Sequence, residues 1–175
     1  ASSTKAIVAA ISIGGQRTPH QDLRFAAQGL IEIGTRGLAA GTNDPYTAVA
    51  ALDALSSAIV VLCSRPRADG QVPGEHGALR VLTAWPTPSE VIADVLLATR
   101  TYGMQHPLVA RAAIAFLTRI EPAVTGEEHP HLREQAAALR AAYLATTPAH
   151  IDAEPLLTAL DEVLTRLDPL TSREE

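Results

Sequence analysis

Two groups of polar side chains have the types and spacing to do chemistry. The first lies in "RTPHQD" and comprises Arg17, Thr18, Gln21 and Asp22. The second lies in "GTNDPYTA" and comprises Asn43, Asp44, Tyr46 and Thr47, with Arg36 a few residues upstream. A helix that starts at Pro45 would present its free backbone N–H groups beside Arg36, which is the arrangement that holds a small anion or an acidic metabolite. The same residues also make a lock: Asp44 caps the helix, Asn43 bonds the turn backbone and Arg36 neutralises Asp44. A carboxylate at the cap repels an anion, so the lock is the preferred reading and the ligand site the alternative. Arg17 and Asp22 bracket the start of an earlier helix. A pair between them, or to another chain, is preferred over catalysis.

Other reactive residues give less. His129 and His131 are separated by one residue, without the spacing of a zinc set. His20, His76, His106 and His150 fall at caps or in loops. Cys63 is the single cysteine and ends the apolar run "SAIVVLC", so it reads as a buried, inert thiol. Gly14-Gly15 is too short to cradle a phosphate, and there is no G-x-S-x-G, P-loop or H-E-x-x-H. No catalytic residue, metal or cofactor is assigned, and the reading leans against an enzyme.

The elements that position these residues follow from caps and periodicity. Residues 6–13, "AIVAAISI", read as a short strand. Thr18, Pro19 and Gln21 form a capping box that opens a first helix running to about Ala40, with Gly41 just past its end. Its stripe is Leu23, Ala26, Ala27, Leu30 and Ile33 or Gly34. Asp44 and Pro45 open the second helix, 44–63, which is apolar nearly all round and is therefore expected to be the buried central helix. Residues 64–77 read as a mobile loop and 79–84 as a second strand, pairing with 6–13. Thr87, Pro88 and Glu90 repeat the capping box. Further helices carry Val91, Val95, Ala98 and Tyr102; Val109, Ala113, Phe116 and Ile120; Leu132, Ala136, Leu139 and Tyr143; and Leu156, Leu160, Val163 and Leu167, with Pro155 in the first turn of the last. The fold class is mainly α: one domain, 1–175, of about six helices with one two-stranded β element. Residues 1–16 are a leading strand and linker, and 171–175 a frayed tail. If the first two helices form an antiparallel hairpin, "RTPHQD" and "NDPYT" lie at its opposite ends, about 33 Å apart for 22 helical residues. They cannot be one site in a monomer.

Composition narrows the partners. The chain has 175 residues, 47% hydrophobic and 3% aromatic, so small aliphatic side chains fill the core. Net charge is −5, and the basic residues, all arginine except Lys5, are scattered singly. Nucleic acid and an anionic membrane surface both require a basic face, so neither is expected as a partner. Residues 47–63 are too short and carry Asp53, so no segment is expected to span a bilayer. The first residue is Ala, not Met, which is expected of a fragment or of a trimmed chain.

The stretch 17–55 resembles a bacterial family of predicted integral membrane proteins of unknown function, with the pattern R-T-x-x-Q-D followed by A-x-R-A-L-S-P-G-x-N-D-P-x-T-A. Here Arg17, Thr18, Gln21, Asp22, Arg36, Gly41, Asn43, Asp44, Pro45, Thr47 and Ala48 match it. The stretch "LRVLTAWPTPSEVIADVLLATRTYGMQHPLVA" is similar to the family's later strand and helices. The family's A-L-S-P is replaced by Gly37-Leu38-Ala39-Ala40, which should lengthen the first helix slightly. The resemblance implies membrane helices upstream, absent from this chain, and makes it a soluble C-terminal part. It brings no established activity.

The expectation is therefore a non-catalytic assembly or signalling domain of a membrane-anchored bacterial protein, on the cytoplasmic side, in touch with the membrane only through segments absent from this chain. Homo-oligomers are expected to form through the exposed side of the first helix and the β ribbon. The alternatives are a small-anion or metabolite sensor at the second helix's N-terminus, its ligand unknown, and an enzyme built on Asp22, Asp44 or Asp53.

Overall fold

Proline and a side-chain oxygen open the best-defined helices. In the computed structural model, which describes residues 4–6, 9, 22–66, 70–73 and 77–168, α1 spans Leu23–Gly37 and α2 Pro45–Cys63. Asp22 caps α1 by accepting from the Phe25 amide at 2.9 Å. Asp44 caps α2, with Pro45 at the position where a missing N–H costs nothing. Helix α3, Pro88–Tyr102, starts with a full capping box. Glu90 N–H donates to Thr87 Oγ1 at 3.2 Å, and the Thr87 amide donates to Glu90 Oε2 at 2.8 Å. Helix α4, Pro107–Ile120, follows His106 without a side-chain cap and runs into a single 3-10 turn, Glu121–Ala123. Helices α5, His129–Ala145, and α6, His150–Arg166, complete the bundle. Pro155 sits in the sixth position of α6 rather than its first turn, and so removes the N–H that would meet the carbonyl of the exposed Ile151.

The helices form two layers. In one, α1 packs on α3 and α3 on α5; in the other, α2 packs on α4 and α4 on α6. The layers join most closely at α1–α2 and α5–α6. The chain is thus a short stack of helical hairpins. Its most enclosed helix is α4, where Val109, Ala110, Ala113, Ile114, Phe116, Leu117 and Ile120 are all buried. Helix α2 is not central, contrary to the expectation from its composition. It stands at the end of its layer with α4 on one side only, and its outer residues face solvent. In α3 the buried stripe is Val91, Ile92, Val95, Leu96 and Thr99, while Tyr102, expected inside, is exposed.

The β element also differs from expectation. Strand β1 is Gln71–Pro73 and β2 is Leu79–Leu82, paired antiparallel with Val72 opposite Val81. The partner of β2 thus comes from the stretch read as a mobile loop. In 6–13, Ala6 and Ala9 are helical, and the rest of that stretch lies outside the described residues. A nearby local pairing closes a shorter loop than one reaching back some seventy residues, and costs less entropy. Gly70, at φ 69°, holds the ribbon: its carbonyl accepts from the Thr83 amide at 2.8 Å, and a Cβ there would run into the Thr83 carbonyl.

Candidate functional site

The corner between α1 and α2 gathers the second polar group. Helix α1 ends at Gly37, three residues before the expected Ala40, because the chain is pulled across α2 there. Asp44 N–H donates to Gly37 O at 2.7 Å, and Asn43 N–H to Ala39 O at 2.8 Å. Asn43 sits at φ 45°, a left-handed conformation that asparagine tolerates and branched residues do not. Its place before the cap follows from that backbone requirement. Asp44 accepts from Thr47 Oγ1 at 2.6 Å, from the Tyr46 amide at 3.1 Å and from the Thr47 amide at 3.3 Å. The Thr47 hydroxyl, with the two amides, holds the Asp44 carboxyl below its ordinary value.

Arg36 does not neutralise Asp44. It lies one turn from Glu32, at 3.4 Å, with its side chain 81% exposed. This i, i+4 pair of favourable order was legible in the sequence. Tyr46 is 69% exposed, so its ring faces solvent. Gly37 and Gly34 let the two helices close: a Cβ on Gly37 would stand 2.9 Å from Asp44 O, and one on Gly34 would stand 3.3 Å from the Ala51 Cβ. With Asp44's oxygens taking the amides that an anion would need, the corner works as a helix-to-helix lock.

Asp22 lies at the far end of α1, about 22 Å from the corner for its fifteen residues. Asp22 and Asp44 are therefore not brought together. Arg17, Thr18 and Gln21 lie outside the described residues; the helix they were expected to open at Pro19 is instead capped by Asp22, in extended backbone, and starts at Leu23.

Three of the interhelical links had no signal in the sequence, because their partners lie far apart along the chain. Arg24 grips Asp94 with two nitrogens, Nε at 2.9 Å and Nη2 at 2.7 Å, and ties α1 to α3. That carboxylate raises the Arg24 pKa above its ordinary value. Arg119 of α4 donates to the buried Ser56 Oγ at 2.8 Å and lies 3.6 Å from Asp53, both on α2. Asp53 is thereby a structural partner. Arg166 of α6 meets the mostly buried Glu121 at 2.8 Å.

The described residues also line two clefts and a groove. An apolar cleft between α1, α2 and α3, floored by Leu52 and Val95, encloses about 30 Å³, room for one water. An open groove of about 620 Å³ runs beside the Arg24–Asp94 pair, edged by Leu97 and Tyr102. A third space, about 380 Å³, lies at the N-termini of α3 and α5 beside Glu90, Glu127, Glu128 and His131. Among the described residues, no three histidine, cysteine or carboxylate side chains are placed to hold a metal. Cys63 is half-buried at the end of α2 rather than enclosed.

The outer face of α2 is made mostly of small, uncharged side chains. On one side of the helix Tyr46, Ala50, Ala54, Ser57, Ala58 and Val61 are exposed, and Asp53 is the helix's single charge. Among the described residues, α2 alone is long and apolar enough to cross a membrane by length and composition, although Asp53 had argued against a span; 33% of that stretch is buried in the bundle. Residues 1–119, which take in all of α1 to α3 and nearly all of α4, match the model of a family described as Predicted membrane protein (DUF2254). The chain belongs to that family. An uncharacterized protein of Mycobacterium tuberculosis is 32% identical over 110 residues, covering 63% of this chain and 21% of its own. One from Mycobacterium bovis matches to the same extent. This DUF2254 chain thus spans about a fifth of the length of those relatives. No solved structure matches it significantly.

Proposed function

We propose that this domain is a non-catalytic assembly or signalling module of a membrane-anchored bacterial protein, facing the cytoplasm. The observation that carries the reading is the uncharged outer face of α2. In a stack of hairpins, the end units need a polar outer surface to remain soluble on their own. The α6 end of the stack meets this need with exposed Glu154, Asp161, Glu162 and Arg166. The α2 end does not, with Ala50, Ala54, Ala58 and Val61 outward. A contiguous apolar face of that kind is a docking surface. The remaining polar groups support the same reading, since Asp44, Asp53, Asp94 and Glu121 hold helices together.

The test is the substitution Ala54→Arg in the intact protein, solubilised from its own membranes and sized by native electrophoresis. The expected result is a smaller assembly with an unchanged melting temperature for the isolated chain, since Ala54 is exposed. An assembly of unchanged size would refute the reading. Sidedness is tested by labelling a cysteine at the exposed Thr158 in intact cells against lysed cells; labelling in intact cells by an impermeant reagent would refute the cytoplasmic placement.

A further inference from the structure

We infer that residues 147–155, the turn after α5 and the start of α6, form a strap that opens from the bundle as one unit while the rest of α6 stays docked, and that its opening admits water to the buried hydroxyl of Tyr143. The inference does not depend on the reading of α2, and it places a movable element at the opposite end of the stack.

Helix α6 is held unevenly. Its later residues carry the packing, since Leu160, Val163 and Leu167 are buried almost completely. They also carry the ion pairs to the rest of the bundle. Asp161 meets Arg140 of α5 at 2.8 Å, and Arg166 meets Glu121 at 2.8 Å. Asp168, just past the helix, meets Arg133 of α5 at 3.5 Å. Residues 147–155 bring one small buried side chain, Ala153, while Ile151 is 81% exposed. The His150–Glu154 contact, at 3.7 Å, lies within the segment and ties it to no other element.

The backbone is weakest over the same stretch. Thr147 sits at φ 50°, where a β-branched side chain crowds its own backbone. Strain of this kind persists only while the surroundings hold it. Ala149, at the cap, has no side-chain oxygen for the free amides of α6. Pro155 then deprives the Ile151 carbonyl of its helical donor. The segment is thus marked off by a strained turn residue at one end and a missing helical bond at the other.

Tyr143 of α5 lies against it. The ring is buried, and its hydroxyl has no hydrogen-bond partner among the described residues. Burial first, and then the Asp152 carboxylate of the strap, push the phenol above its ordinary value. A buried hydroxyl without a partner penalises the closed state, and water relieves it. Closure gains the burial of Ala153 and of the Tyr143 ring, against a strained Thr147 and a stranded hydroxyl. Segments with so little buried surface open at a fraction of the cost of unfolding the domain. Any partner that favours one of the two states shifts the balance between them.

The test is amide hydrogen exchange of the whole chain, followed residue by residue by NMR. The Ala153 amide donates to the Ala149 carbonyl at 2.9 Å while the strap is closed. Relative to their intrinsic rates, the amides of Ala153, Glu154 and Leu156 should exchange about 100-fold faster than those of Leu160 and Val163, by a common factor and independently of low urea. Pro155→Ala restores the helical bond and should slow all three about tenfold. Thr147→Asn, which tolerates the left-handed conformation, should slow them about fivefold. Tyr143→Phe removes the hydroxyl that opening hydrates, and should also slow them about fivefold.

Protection of the three amides equal to that of Leu160 overturns the proposal. So does protection that climbs steadily from His150 onward, which is the fraying of a helix end and not the opening of a unit. Exchange unchanged by Pro155→Ala or by Thr147→Asn refutes the two boundaries, and exchange unchanged by Tyr143→Phe refutes the hydration of the hydroxyl.

Discussion

The close approach of the end of α1 to the start of α2 makes a paired prediction with opposite signs. Gly29 and Gly37 both lie in α1. A Cβ on Gly29 meets nothing within 4 Å, whereas one on Gly37 would stand 2.9 Å from Asp44 O and 3.0 Å from the Thr47 Cβ. Alanine at an open helical position gains about 0.5–1 kcal/mol over glycine, because the unfolded chain loses freedom. Gly29→Ala should therefore stabilise by that amount. At 37 the obstacle is a backbone oxygen whose residue is pinned twice, by its own N–H to Gly37 O at 2.7 Å and by its capping bonds to Thr47. The helix ends must separate, and overpacking of this kind costs about 1–3 kcal/mol, which outweighs the propensity gain. Melting temperature moves about 2–4 °C per kcal/mol for a domain of this size. Gly29→Ala should melt about 1–4 °C higher and Gly37→Ala several degrees lower, with matching urea midpoints and unchanged m-values. Movement of both variants in the same direction by similar amounts would show that steric closure at the corner is not what glycine serves at 37.

Leu117, fully buried in α4, should cost about 2–5 kcal/mol on truncation to alanine, and Leu97, which is 58% exposed, under about 1 kcal/mol; urea unfolding of both checks the placement of the core. Tyr143 is buried, and its hydroxyl has no hydrogen-bond partner among the described residues, so Tyr143→Phe should raise stability by about 1 kcal/mol, read as a higher urea midpoint. Asp44 and Glu90 both have lowered carboxyl values, Asp44 through the Thr47 hydroxyl and Glu90 through the Thr87 amide. Their stabilising contribution is present above the unfolded values, about 3.9 and 4.3. It is lost as pH falls through the lower folded values. Asp44→Asn with Glu90→Gln should flatten the fall in melting temperature below about pH 5; a profile as steep as that of the unaltered chain would contradict the assignment.

What local chemistry controls was legible in the sequence. Asp44-Pro45 and Thr87-Pro88-Glu90 start helices where their capping atoms predict, because a cap is decided within four residues. The four-and-three spacing of Ala48, Leu52, Leu55 and Ile59 marks the buried side of α2. The Glu32–Arg36 pair was readable for the same reason. Tertiary structure alone decided which helix is enclosed. An apolar composition says that a helix prefers burial, but neighbours decide how many of its sides are covered, and α2 ends its layer while α4 does not. Only the fold joins Arg24 to Asp94 and Arg119 to Ser56, since residues 70 and 63 positions apart leave no periodic trace. The polar corner changed meaning on the same ground. Asn43 and Gly37 are there for backbone geometry, while the surface left for a partner lies on the alanines of α2, which carry no reactive group and became visible only once the helices around them had been placed.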